Sequence, residues 1–208
     1  MIPEGGVRWR AGGPPWIILA VVAGASLASL LPGAAGILEY DRTAVEAGEI
    51  WRLLTGQLVH WTARMTAADL AVLLAVGAWL EIRCRRVALV ALLAGALLVG
   101  LGLYGLAPEL SHYRGSSGLA SALFAAAALE MATASPLRWQ RASALTALVL
   151  FAAKLFWELE TGRALAAGPL LPGVVVTPSV HLLGGMAGLL ARGLRRPGDL
   201  VRALPGRI

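Results

Sequence analysis

The sequence predicts an all-α membrane protein, a six-transmembrane-helix bundle forming one domain over residues 1–208. Three observations carry that expectation. The chain is 58% hydrophobic and only 14% charged, against about 25% charged in ordinary soluble domains, so it lacks the polar surface a soluble globule of this length needs. Its apolar residues fall in runs near membrane-spanning length, at about 16–31, 66–82, 87–106, 117–134, 142–157 and 179–194. Its arginines sit in short clusters between those runs, a pattern of membrane topology and not of a phosphate-binding face. No nucleic-acid partner is expected despite the net charge of +6.

Each element follows in order. Arg8 and Arg10 precede the uncharged run Trp16 to Leu31. A secretory leader has that layout, with Ala34-Ala35-Gly36 as small residues for cleavage, but the further runs favour a retained first span. Residues 32–64 carry Glu39, Asp41, Arg42, Glu46, Glu49, Trp51, Arg52 and His60. A connection that long is expected to be partly ordered or functional. The second run carries Asp69 near its start and ends at Arg83-Cys84-Arg85-Arg86. Cys84 is the one cysteine, so no disulfide forms and a metal site would lack thiolate pairs. Gly95, Gly100, Gly102 and Gly105 in the third run permit close helix packing in lipid.

The fourth run opens at Gly115-Ser116-Ser117-Gly118 and closes before Ser135-Pro136. As a helix its length is roughly 27 Å, short of a hydrocarbon core of about 30 Å. With Glu130 at the far interface, Ser117 lies below the near membrane surface. In the fifth run Lys154 and Glu158 stand one helical turn apart, the spacing of a local ion pair. A Gly- and Pro-containing loop leads to the sixth run and a tail with Arg192, Arg195, Arg196, Arg202 and Arg207. Six spans put both termini on one side, where twelve arginines lie against five on the other. Positive charge stays inside, so the termini are expected in the cytoplasm and Ser117 at the outer face.

The chemistry centres on Ser117 and His181. At a helix start the first backbone N–H groups have no intrahelical partner and can hold an oxyanion where bulk water is excluded. Ser117 can equally serve as an N-cap. His181 starts the sixth run at the same membrane face, and an ionisable side chain inside a span marks a functional site by default. Gly184, Gly185 and Gly188 follow it at three, four and seven residues on one helix face, which brings that helix close to Gly118, Ala122 and Ala125. Such proximity lets imidazole take the serine proton and return it. No carboxylate within a span is clearly placed by the sequence to orient His181, so a dyad is expected. Two helices that pack with an incidental histidine remain the alternative.

Three motifs in this order resemble the rhomboid family of intramembrane serine proteases, and within it the compact bacterial rhombosortases. Glu49 to His60, with Trp51-Arg52, resembles the segment that closes the first outer loop. Gly115-Ser116-Ser117-Gly118 resembles the catalytic Gly-x-Ser-Gly, and His181 with Gly184, Gly185 and Gly188 resembles the His…Gly helix. The resemblance implies a rhomboid-like bundle with Ser117 as nucleophile, His181 as general base, and Gly115, Ser116 and Gly118 around the oxyanion. It implies His60 as support for the first loop, no cofactor and no metal. It implies a multi-pass protein of the bacterial inner membrane, cutting membrane-anchored substrates near the outer face. For the rhombosortase branch, those substrates end in a Gly-Gly motif, an apolar span and a basic end.

The family's two oxyanion side chains on the second helix fall here on Met65 and Asp69. Met65 cannot donate a hydrogen bond, and Asp69 donates only when protonated. These departures favour a rival expectation, a catalytically inactive rhomboid-like protein that binds transmembrane helices. A transporter would want internal repeats or charges lining a midplane site, and neither is present.

Overall fold

The computed structural model describes residues 13–163 and 177–195. The first apolar run forms α1 (Trp16–Leu30). Its opening N–H groups have no intrahelical partners, and a buried acid from a distant helix meets them. Ile17 and Ile18 N–H donate to the two carboxylate oxygens of Glu81, at 3.1 and 2.9 Å. Arg85 balances that carboxylate from one turn further on, at 3.2 Å.

The polar segment that follows is ordered by two arginines. It contains α2 (Ala34–Leu38), β1 (Tyr40–Asp41), α3 (Arg42–Glu46), α4 (Arg52–Thr55) and one 3₁₀ turn at Gly56–Leu58. Helices this short do not persist alone in water, so the tertiary bonds hold them. Arg52 is buried and donates to the Gly36 and Glu39 carbonyls at 2.8 and 3.0 Å and to Glu49 at 2.6 Å. Arg42 reaches the far end of the third apolar run, donating to the carbonyls of Leu103, Tyr104 and Ala107 at 3.2, 2.7 and 3.1 Å.

Thr62 caps α5 (Ala63–Val72), accepting from Met65 N–H at 3.2 Å. A π turn, Leu73–Gly77, continues into α6 (Ala78–Leu106). Helical geometry fails once inside α6, at Cys84, where φ is −150° and ψ 78°. The second and third apolar runs thus meet at a one-residue break among arginines. β2 (His112–Tyr113) pairs antiparallel with β1, Tyr113 opposite Tyr40 and His112 opposite Asp41. Then come α7 (Ser117–Ala134), α8 (Arg138–Thr161) and α9 (Pro178–Gly193).

Among the described residues three helices are long and apolar enough to cross a membrane: Ala63–Leu106, Ser117–Ala134 and Arg138–Thr161; α1 is a shorter apolar helix. The fourth apolar run is the centre of the bundle, packed by α6, α8, α9 and the π turn. Its alanines and Gly118 make this possible, since small side chains let neighbouring backbones approach. α8 lies at the periphery, with Leu145, Val149, Leu150 and Phe156 exposed. Such a surface suits lipid and would be an aggregation hazard in water. At the other end of the molecule from Ser117, buried Glu130 is clamped by Arg192 Nε at 2.6 Å and by Arg195. Arg8, Arg10, Arg196, Arg202 and Arg207, and most of the loop before Pro178, lie outside the described residues.

Candidate active site

The approach to α7 is built to present Ser117. Gly115 takes φ 147°, a conformation that side-chain-bearing residues rarely adopt, and donates its N–H to the Gly56 carbonyl at 3.2 Å. Ser116 follows as the N-cap residue and is fully buried, while Ser117 is the first helical residue and keeps partial exposure. The capping reading of Ser117 therefore fails: the cap position belongs to Ser116, and its side chain makes no cap bond. Tyr113 packs beneath this turn. Its hydroxyl donates to the Gly115 carbonyl at 2.9 Å and lies in hydrogen-bond reach of Ser117. Burial pushes the Tyr113 phenol up from its ordinary value, so it remains a donor at neutral pH.

Asp69 and His60 converge on Ser116 from two further elements. Asp69 Oδ2 accepts the Ser116 N–H at 3.0 Å, with the Ser116 hydroxyl at 3.4 Å. His60 Nε2 lies 3.1 Å from the Ser116 hydroxyl and 3.2 Å from the same Asp69 oxygen. A carboxylate at this position meets the positive end of the α7 dipole. Asp69 thus acts as an acceptor that occupies one free N–H. His60, expected as support for the first loop, lies against the start of α7. Met65 is one helical turn before Asp69 and makes no side-chain hydrogen bond among the described residues.

The first turns of α7 and α9 meet because both helices lack side chains at the contact. A Cβ placed on Gly184 would stand 2.0 Å from the Gly118 carbonyl oxygen, and one on Gly188 would stand 2.0 Å from the Ala122 oxygen. The pairing of 118 with 184 and of 122 with 188 is a parallel register. One residue before Gly118 and three before Gly184 lie Ser117 and His181, at the same end of the pair. Gly185 serves a different neighbour. Its missing Cβ would stand 2.9 Å from the Phe151 ring of α8, so only two of the three glycines face α7.

The environment of His181 contains a partner that sequence reasoning missed. Its Nδ1 lies 2.8 Å from Glu158 Oε2 and 3.3 Å from Lys154 Nζ. Lys154 and Glu158 do form their pair across one turn, at 2.7 Å, but on the face of α8 that meets α9. A glutamate and a lysine inside an apolar run were the available signal. An apolar cavity of about 390 Å³ opens between the π turn, α7 and α8, lined by Val76, Trp79, Phe124 and Met131 among others. It lies along α7 from Phe124 to Met131, beyond the first turn that bears Ser117.

Fold and site together define an integral membrane protein, a helical bundle in which a serine-bearing helix start lies at the same end as a histidine that contacts a carboxylate. The Rhomboid domain family matches residues 47–196, most of the chain, and the protein belongs to the rhomboid family. Members are generally intramembrane serine proteases that act on membrane protein substrates within the bilayer. No curated protein matches the chain at a significant level.

Proposed function

We propose that the protein is an intramembrane serine endopeptidase with Ser117 as nucleophile and His181 as general base. One observation carries the reading: the glycine contact of Gly118 with Gly184 brings the first turns of α7 and α9 together at the end that bears both residues. Ser117 Oγ attacks the scissile carbonyl carbon while its proton passes to the imidazole. The carbonyl electrons move to oxygen, for which the Ser117 N–H at the first turn of α7 offers a backbone donor without an intrahelical partner. Collapse of that adduct expels the amine, which takes the proton from His181, and water then hydrolyses the acyl-enzyme by the same exchange.

The break at Cys84 divides the longest helix, which supports reading α1, the two parts of Ala63–Leu106, α7, α8 and α9 as six spans in one domain. Arginine bias puts both termini in the cytoplasm of a bacterium and the Ser117 end at the outer face of its inner membrane. The substrates are membrane-anchored proteins cut near that face. The rhombosortase resemblance specifies C-terminal tails of a Gly-Gly motif, an apolar span and a basic end.

Labelling of the purified protein in detergent by a fluorophosphonate tests this reading. The wild type is expected to label, and Ser117→Ala and His181→Ala are expected not to. A wild type that stays unlabelled beside an active rhomboid protease under the same conditions overturns the reading. One observation favours a second possibility, an inactive protein that binds transmembrane helices: Asp69 accepts where the family has a donor, and Met65 offers no hydrogen bond.

A further inference from the structure

We propose that Glu158 is the positioning residue for His181, making the reactive unit a Ser117–His181–Glu158 triad with Lys154 as the counter-charge of the carboxylate. This rests on the reading of Ser117 and His181 as nucleophile and base. Glu158 is fully buried, and a buried carboxylate persists only with partners that satisfy it. Two of them converge on one oxygen. Oε2 lies 2.8 Å from His181 Nδ1 and 2.7 Å from Lys154 Nζ.

That geometry fixes the tautomer. With Glu158 held ionised by Lys154, two bare acceptors would not stand 2.8 Å apart, so Nδ1 is assigned the proton and donates it to Oε2. Nε2 is then left with its lone pair, the form a base needs. When Nε2 takes the Ser117 proton, the ring becomes an imidazolium whose second N–H already points at a carboxylate. Glu158 neither gains nor loses a proton in the cycle. It sets the orientation of the ring and stabilises the charge on it. Lys154 Nζ, 3.3 Å from Nδ1, donates to the same oxygen and so holds Glu158 against the face of α9. Residues from α8 and α9 are therefore joined by direct contacts, and Ser117 of α7 stands at the same end of the α7–α9 pair.

The test measures the rate of fluorophosphonate labelling at Ser117, together with the Nδ1 proton of His181 in an NMR spectrum of the ¹⁵N-histidine-labelled protein. In Glu158→Gln the labelling rate is expected to fall on the order of 10⁴-fold, a loss larger than any fall in thermal stability explains. The wild type is expected to show a downfield-shifted Nδ1 proton that is lost in Glu158→Gln and His181→Ala. The double variant Lys154→Met/Glu158→Leu removes the buried ion pair together, a change cores often tolerate. It covers the case in which Glu158→Gln does not fold, and it is expected to label as slowly. If folded Glu158 variants label at the wild-type rate, Glu158 has no positioning role while the Ser117–His181 reading stands. If the wild type itself does not label, that underlying reading fails and the triad fails with it.

Discussion

Gly118 and Gly184 touch backbone to backbone, with no room for a methyl group between them. A Cβ on Gly184 would lie 2.0 Å from the Gly118 carbonyl oxygen, so Gly184→Ala must push α9 away from α7. Overpacking of this kind costs about 1–3 kcal/mol, and here the displaced atoms are backbone, which cannot rotate aside. The expected result is a lowered unfolding temperature in detergent and a loss of Ser117 labelling larger than the loss of stability explains. Gly193→Ala, at a position with open space around it, is the control and is expected to change neither.

Glu130, Arg192 of α9 and Arg195 just beyond its end close the other end of the same helix pair. Glu130→Ala leaves Arg192 facing the void of its carboxylate at a buried site. Breaking a buried pair by removing one partner costs about 3–5 kcal/mol, and the unfolding temperature is expected to drop accordingly. Arg85→Ala, whose side chain is half exposed in its pair with Glu81, is expected to cost far less.

Asp69→Asn tests whether the acceptor at the start of α7 restrains the chemistry. The amide keeps an oxygen for the Ser116 N–H and adds a donor beside the developing oxyanion. A single oxyanion donor is worth on the order of 10²-fold in rate, and faster labelling of Asp69→Asn than of the wild type is the expected outcome. An unchanged rate would show that the Asp69 position does not reach the oxyanion.

Tyr113 gives a pH dependence of stability. Burial raises its phenol above the ordinary value, so the folded state keeps a proton that the unfolded chain releases above about pH 10. The unfolded state then binds fewer protons, and stability falls as pH rises past that value, whereas below it the contribution is fully present. In Tyr113→Phe this part of the alkaline loss is expected to vanish. Unfolding temperatures of both proteins between pH 8 and 12 decide the matter.

Much of this arrangement was legible in the sequence because it is written in short-range patterns. The start of α7 follows from glycines that interrupt an apolar run, and its end from Ser135-Pro136. The Gly184 and Gly188 spacing identified a helix face that needs a close neighbour. The glutamate beside His181 was not legible for a physical reason. Lys154 offered Glu158 a partner at the local helical spacing, which satisfied the residue on paper, while the histidine is 23 positions away across a loop. Glu81 escaped notice likewise, since a cap supplied from a distant helix leaves no mark near the helix it caps. The role of Asp69 depended on direction: composition names the carboxylate, and only packing reveals that it accepts from Ser116.

The pairing of Tyr40 with Tyr113 has a consequence for the order of folding. These two-residue strands lie 73 positions apart, with α3 to α6 between them. Joining the ends of so long a loop costs entropy that a pair of short strands cannot recover alone. The bridge forms only after the intervening helices have shortened the gap, and non-local contacts of that kind are slow to arise. The ribbon that delivers Gly115 and Ser117 to their places is thus completed late, and a chain that has folded only part way does not yet hold the start of α7 in its final position. Under the proposed function, delayed assembly would itself guard the immature protein against premature cutting.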